Sequence, residues 1–208
     1  MTTAPYSSRI IKASALIADT RVLLQSWDFA LSAEENLARA RNENIFAKAS
    51  RARVNDILRI FRQRYFSRPG VGEALAVFAS APGHSQTLDR LLYFYTARND
   101  RLLHDVVTEV LAPRHESGFY DLPIAEVQRT IRTWVAEGQT TRPWNDETVE
   151  RVSQGVLATL RDFGILEGQV HKRIANLTLP VEAAVFLAFV LFQEEQAGER
   201  LRANPEWR

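Results

Sequence analysis

Residues 44–68 read NIFAKASRARVNDILRIFRQRYFSR, and this stretch decides how the chain is organised. Its apolar side chains recur at the spacing of one helical face; they are Val54, Ile57, Leu58, Phe61 and Tyr65. Ser50 precedes them and predicts an N-cap, because its hydroxyl can accept a hydrogen bond from an amide of the first turn. The stretch therefore predicts an amphipathic helix with one face in the core.

Basic side chains border this apolar face on both sides. The stretch has one acid, Asp56, against the basic residues Lys48, Arg51, Arg53, Arg59, Arg62, Arg64 and Arg68. Guanidinium groups bind phosphates bidentately and reach base edges in a groove, which suits such a helix to DNA. The alternative is a solvated surface helix whose arginines pair with acids elsewhere, and the stretch alone leaves both open.

Two further helices are predicted before the basic helix. The first covers Ala13–Trp27, and the second runs from Ser32 to Arg41. Ser32 and Glu35 have the spacing of a capping box, in which each side chain meets the other residue's amide. Three helices with a basic third one and a short connection at residues 42–49 resemble a helix-turn-helix, whose recognition helix enters the major groove. Three-helix packing without DNA is the alternative.

Turn-forming residues divide the rest of the chain. Proline and glycine after Arg68 end the basic helix, and a short helix and a long one over Ser85–Leu111 follow. Residues 112–120 are the predicted linker. We therefore expect two domains, a basic helical domain over residues 1–112 and a second domain over residues 121–208.

The second domain has the element order of a winged helix. Helices over residues 121–137 and 146–163 precede Gly164, which suits the left-handed backbone at a helix end. Extended runs over residues 164–170 and 173–179 then flank a basic tip, HKR. We expect a mainly α fold, with a helix-turn-helix-like element in an N-terminal helical bundle and a winged-helix-like β-hairpin in a C-terminal helical domain.

Composition is that of an ordinary globular protein, with 208 residues of which 46% are hydrophobic and 25% charged. The absence of cysteine excludes disulfides and thiol nucleophiles, and the N-terminus shows no signal peptide pattern. A last helix is predicted over residues 181–201, and its apolar start is shorter than the roughly 20 residues that span a bilayer. We expect a cytoplasmic protein in which this start is a buried helix.

Charge is distributed unevenly along the chain. Residues 1–68 carry 12 Lys and Arg against 6 Asp and Glu, whereas residues 69–208 carry 14 against 19. Most of the basic residues are arginines, which present a flat fork to phosphate. This asymmetry favours a polyanion as the partner of the N-terminal part.

The sequence offers no catalytic pattern. It has four histidines, none with a second histidine at helical spacing, whereas a catalytic metal centre usually needs three protein ligands. Neither a phosphate-binding glycine loop nor a nucleophile elbow occurs. We expect a protein that is not an enzyme and that needs no metal or cofactor.

Several short stretches in the first 68 residues, taken in order, resemble the BrxA family of bacteriophage exclusion (BREX) defence systems. These stretches are Ile11–Ser14, Asp19–Leu24 with Trp27, Glu35–Leu37, Asn42–Asn44, Lys48–Arg53 and Ile60–Tyr65. The resemblance implies a mostly helical, non-enzymatic DNA-binding accessory of a phage-restriction system. Members have also been described as inner-membrane proteins, a description to which the short apolar run gives no physical support.

These observations together predict a protein that binds double-stranded DNA beside other BREX proteins. The expected DNA contacts are Lys48, Ser50, Arg51, Arg53, Asn55, Arg59, Arg62 and Arg64, with Lys172 and Arg173 at the hairpin tip. Arg51, Arg53 and Asn55 would enter a groove, and the later arginines would meet the backbone. Two alternatives stay open: an adaptor that docks the defence enzymes, and a winged-helix transcriptional regulator.

Overall fold

The computed structural model describes residues 4–195, with only the backbone of the last of these, and residue 204. The helices are α1 (Ile10–Ala13), α2 (Ile17–Gln25), α3 (Ala33–Asn42), α4 (Arg51–Tyr65), α5 (Val71–Ser80), α6 (Ser85–Asn99), α7 (Arg101–Val106), α8 (Ala112–Glu116), α9 (Ile124–Ala136), α10 (Asp146–Asp162) and α11 (Val181–Glu195). A π-helical turn (Val107–Leu111) joins α7 to α8, and strands β1 (Leu166–Glu167) and β2 (Arg173–Ile174) form a hairpin. The prediction of a mainly α fold with a small C-terminal hairpin is confirmed.

Local capping signals place α3 and α4 where the sequence predicted them. Ser32 and Glu35 form the capping box of α3, with the Ser32 amide donating to the Glu35 carboxylate at 2.8 Å. The Ser50 hydroxyl accepts from the Arg53 amide at 3.1 Å and caps α4. The apolar stripe of α4 is buried, and α4 packs against α3 and α6. The basic helix is thereby fixed in the bundle by its apolar side.

The first predicted helix is interrupted. Ser14 and Leu16 have positive φ angles of 43° and 52°, so the chain turns between α1 and α2 instead of continuing as one helix over Ala13–Trp27. Side chains other than glycine adopt this backbone only where the surroundings stabilise it. Here a buried guanidinium binds the Ser14 and Ala15 carbonyls, which supplies that stabilisation.

The long predicted helix over Ser85–Leu111 is also divided. Asp100 leaves the helical backbone and caps α7, because its carboxylate accepts from the Leu103 amide at 3.2 Å. Beyond α7 the π-helical turn continues into α8, so residues 112–116 of the predicted linker are helical. The helix break therefore lies at Asp100, where the side chain competes for a backbone amide.

The C-terminal part follows the predicted order with shorter strands. Gly164 has a φ of 67° and ends α10, and each strand of the hairpin has two residues, with Leu166 opposite Ile174. The segment at residues 120–122 pairs with β2, since the Ile174 amide donates to the Tyr120 carbonyl at 2.7 Å. Residues 120–122 therefore extend the two-stranded hairpin on the β2 side.

The two predicted domains share one hydrophobic core. Tyr6 lies against the chain after α9, where its amide donates to the Gln139 carbonyl at 2.7 Å and its carbonyl accepts from Thr141 at 3.1 Å. Helix α1 packs on α10, and α6 packs on α11. The hydrophobic cluster contains residues from both parts. The division between residues 1–112 and 121–208 stays a prediction.

Helix α11 is buried on one face only. Ala183, Leu187 and Leu191 face the core, whereas other apolar residues on the helix are largely exposed; these are Val181 (75%), Val185 (64%), Phe189 (59%) and Phe192 (49%). The expectation of a fully packed start to this helix is wrong, because its apolar side chains occur around the whole helix and only one face meets α6. Residues 196–201 of the predicted helix lie outside the described residues. Within the described part of the chain, no helix is long and apolar enough to cross a membrane.

Candidate nucleic-acid interface

The exposed side of α4 carries cations that a phosphate can reach. Arg51 and Asn55 are exposed, and neither makes a side-chain hydrogen bond or ion pair within the described residues. Arg59 pairs with Asp56 of its own helix at 3.0 Å, and Arg62 pairs with Glu34 at 2.9 Å; each arginine side chain is 55% exposed. Such exposed pairs contribute little free energy, so these guanidinium groups are available for exchange onto an anion.

Arg64 does not belong to this surface, and its predicted DNA contact is corrected. The residue is only 4% exposed. Its guanidinium donates to the Ser14 carbonyl at 2.6 Å and to the Ala15 carbonyl at 3.1 Å. Its position beside the apolar stripe turns it inward against the bend between α1 and α2. Arg64 is therefore a structural residue that fixes α1 relative to α4.

The residues around the start of α4 are partly engaged within the protein. The Lys48 ammonium pairs with Asp19 at 2.8 Å, and the Ser50 hydroxyl serves the helix cap described above. Arg53 donates to the Lys12 carbonyl at 3.4 Å and so points toward α1. Of the predicted groove contacts, Arg51 and Asn55 are the ones that the structure leaves unengaged within the described residues.

The predicted contacts at the hairpin tip both have partners within the protein. The Lys172 ammonium donates to the Gly168 carbonyl at 2.8 Å and also to the Gln169 carbonyl. Partial burial, followed by the nearby charge of Arg161, lowers the pKa of Lys172. The Arg173 guanidinium lies 3.4 Å from the Asp121 carboxylate. The hairpin packs against α10, whereas α4 packs against α3 and α6, so these two residues belong to a different part of the fold.

The structure adds basic residues that the sequence interpretation missed. Arg9 and Lys12 are exposed at α1 and line a cleft of about 650 Å³ together with Arg59, Arg64 and Arg101. The cleft lies between the N-terminal segment, α4 and the junction of α6 and α7. Arg9 and Lys12 are three residues apart, a spacing that places them on one helical face, and that spacing was a usable signal. No pattern in the sequence around Arg101 indicated that this residue would line the cleft.

Arg101 is held in the wall of the cleft by the N-terminal segment. Its guanidinium donates to the Ala4 carbonyl at 2.6 Å and to the Gln139 side chain at 3.0 Å. The same group lies 4.2 Å from the centre of the Tyr6 ring, a cation–π contact. These contacts fix both the arginine and the segment that forms one side of the cleft.

Asp105 binds both Tyr6 and Arg101. Its carboxylate accepts from the Tyr6 hydroxyl at 2.7 Å and from Arg101 at 3.1 Å, and it lies 2.8 Å from the His104 ring. Desolvation acts to raise the pKa of Asp105, but the hydrogen bonds from His104 and Tyr6 and the charges of His104 and Arg101 outweigh it and lower that pKa. Desolvation and the bond to Asp105 in turn raise the pKa of Tyr6. Asp105 is therefore ionised at neutral pH and anchors the first residues.

Among the described residues no cluster of histidine, aspartate and glutamate has the arrangement of a metal centre. The fold and this surface define a mainly helical protein with exposed cations on α4 beside a cleft lined by basic residues. The chain belongs to the BrxA family, whose sequence model matches residues 4–189, and this membership associates it with BREX systems.

A solved structure shares the fold across nearly the whole chain. It is the crystal structure of an uncharacterized protein from Magnetospirillum magneticum, with a TM-score of 0.72 and 17% sequence identity. The alignment covers 91% of this chain and 95% of that one. The comparison with curated proteins gives no match.

Proposed function

We propose that this protein is a non-enzymatic accessory of a bacteriophage exclusion system that binds double-stranded DNA in the cytoplasm, beside other defence proteins. The contact surface, here called the basic face, consists of Arg51, Arg59 and Arg62 of α4 with Arg9 and Lys12 at α1. The observation that carries the proposal is that these five cations are exposed, three on α4 and two at α1, and that Arg59 lines the same cleft as Arg9 and Lys12.

The charge distribution supports a polyanionic partner. Residues 1–68 carry a formal charge of +6, whereas the rest of the chain carries −5. Because the whole molecule is nearly neutral, attraction to DNA has to come from this local concentration of positive charge. Phosphate contacts supply most of the affinity of such an interface and little sequence information. Asn55, exposed on the same helix, is suited to hydrogen bonding with a base edge.

A matched pair of variants tests this proposal. Arg51→Gln with Arg59→Gln removes two cations of the basic face, whereas Arg129→Gln with Arg132→Gln removes two exposed cations of α9. Fluorescence anisotropy of a labelled duplex reports the affinity of each, and circular dichroism checks the fold. We expect weaker duplex binding in the α4 variant and little change in the α9 variant. Equal affinity of both variants and the native protein would exclude the basic face as the DNA site.

The exposed face of α11 favours a second candidate function, an adaptor that docks another protein. Val181, Val185, Phe189 and Phe192 share one helical face, and contiguous exposed apolar patches mark interaction sites. The adaptor function predicts a complex with another defence protein that resists high salt and is lost in Val185→Ser with Phe189→Ser. Duplex binding that persists in this variant would separate the two functions.

A further inference from the structure

The basic cleft has the size of a site for one small ligand. Its volume is about 650 Å³, within the range of roughly 300–1,000 Å³ that small-molecule sites occupy. The lining includes Arg59, Ile60 and Gln63 of α4 together with Asn99 and Leu102 at the junction of α6 and α7. The lining therefore combines apolar side chains and cations with two amides that can hydrogen-bond a heterocyclic base. One of these, Asn99, donates to the Arg64 carbonyl at 3.3 Å, and its side-chain oxygen can accept from a base.

The cations of the cleft differ in how firmly they are held. Arg64 and Arg101 are fixed by hydrogen bonds to backbone carbonyls. Arg9 and Lys12 are exposed and have no side-chain hydrogen bond or ion pair within the described part of the chain. Fixed charges in the wall hold a positive potential in place, and the exposed Arg9 and Lys12 side chains are able to move onto a phosphate.

One acid lies in the same wall. The Asp100 carboxylate is occupied by the Leu103 amide at the start of α7. Burial raises the pKa of Asp100, an effect that this amide bond and the charge of Arg64 oppose. Asp100 lines the cleft beside five cations, of which Arg59 pairs with Asp56 and Arg101 with Asp105. Arg9, Lys12 and Arg64 still outnumber Asp100, so the cleft keeps its preference for an anion.

We propose that this cleft binds one nucleoside phosphate, taken either as a free nucleotide or as the phosphorylated end of a DNA strand. The phosphate lies between Arg9, Lys12 and Arg59, and the base lies against Ile60 and Leu102 within reach of the two amides. The strand-end form rests on the proposed DNA-binding function, whereas binding of a free nucleotide does not depend on it.

Isothermal titration of the full chain at low salt tests the site with four probes: dAMP, dATP, deoxyadenosine and inorganic phosphate. We expect dATP to bind at least as tightly as dAMP, and both to bind more tightly than phosphate or deoxyadenosine. Arg9→Gln with Lys12→Gln should weaken dAMP binding about tenfold, since it removes two charge-assisted contacts. Arg129→Gln with Arg132→Gln, outside the cleft, should leave it within about twofold.

The fold is controlled separately. Because the Arg9 and Lys12 side chains have no hydrogen bond within the described residues, the variant should keep the circular dichroism spectrum and thermal midpoint of the native protein. Equal affinity for dAMP and phosphate, or equal weakening by the two variant pairs, would overturn the nucleotide site.

A hairpin oligonucleotide with either a 5′-phosphate or a 5′-hydroxyl distinguishes the two sources of the ligand. Competition with dAMP by the phosphorylated hairpin alone supports binding of a strand end, and competition by neither supports a free nucleotide. Duplex binding without any dAMP binding overturns the cleft and leaves the proposed function intact. Binding of dAMP without duplex binding supports the cleft and overturns the proposed function.

Discussion

The salt dependence of duplex binding follows from the number of exposed cations on the basic face. Five are available: Arg51, Arg59 and Arg62 with Arg9 and Lys12. If each neutralises one phosphate, the plot of log affinity against log salt should have a slope of about −4.5, since each contact contributes about −0.9. Raising the salt from about 50 to 200 mM should then weaken binding about 500-fold.

Removing two of these cations changes the slope by a defined amount. Arg51→Gln with Arg59→Gln leaves three contacts, so the slope should fall to about −2.7 and the same change in salt should weaken binding only about 40-fold. The side chain of Asp56, the partner of Arg59, is 49% exposed, so losing this ion pair should change the stability of the fold little. Fluorescence anisotropy at four salt concentrations measures each slope. A slope that is unchanged in this variant refutes the placement of these arginines on phosphates.

Three further predictions concern the stability of the fold. Arg64→Ala should lower the free energy of unfolding by about 2–4 kcal/mol, because two backbone carbonyls lose their buried partner. Urea unfolding measures this change, and the control Arg62→Ala should change the free energy of unfolding by less than about 0.5 kcal/mol. Asp105→Asn should lower the free energy of unfolding at neutral pH. Since the folded-state pKa of Asp105 is lowered, the difference in unfolding free energy between the variant and the native protein should shrink as the pH falls below the ordinary Asp value of about 3.9. A difference in urea unfolding that does not change with pH would contradict this. Gly72→Ala should lower the free energy of unfolding by about 1–3 kcal/mol, because a Cβ there would overlap with the Phe66 ring. An unchanged thermal midpoint would show that the ring moves freely.

Features that depend on neighbouring residues were predictable from the sequence. The capping box at Ser32, the N-cap at Ser50 and the helix end at Gly164 all lie where the sequence placed them, because each involves groups within one or two turns of the chain. The apolar stripe of α4 was predictable for the same reason, since its period depends only on helix geometry.

Features that depend on distant partners were not predictable. Arg64 looks like its neighbours in sequence, but the carbonyl of Ala15 that binds it lies 49 residues earlier. The break between α1 and α2 follows from that contact and has no glycine or proline to announce it. The cleft is equally nonlocal, since Arg9 and Arg101 line it from separate elements. The charge distribution along the sequence identified the basic region, but it did not distinguish the exposed arginines from Arg64, which is buried.

The position of Tyr6 has a consequence for the order in which the protein folds. Its hydroxyl binds Asp105, 99 residues further along the chain, and its backbone pairs with Gln139 beyond that. At about 5–20 residues per second, a ribosome needs roughly 5–20 seconds to make the intervening chain. During that interval α2 to α4 are free to assemble, while the hydroxyl and backbone of Tyr6 still lack the partners that they have in the folded protein. The cleft therefore closes late in synthesis, after α10 has left the ribosome and α1 can dock on it.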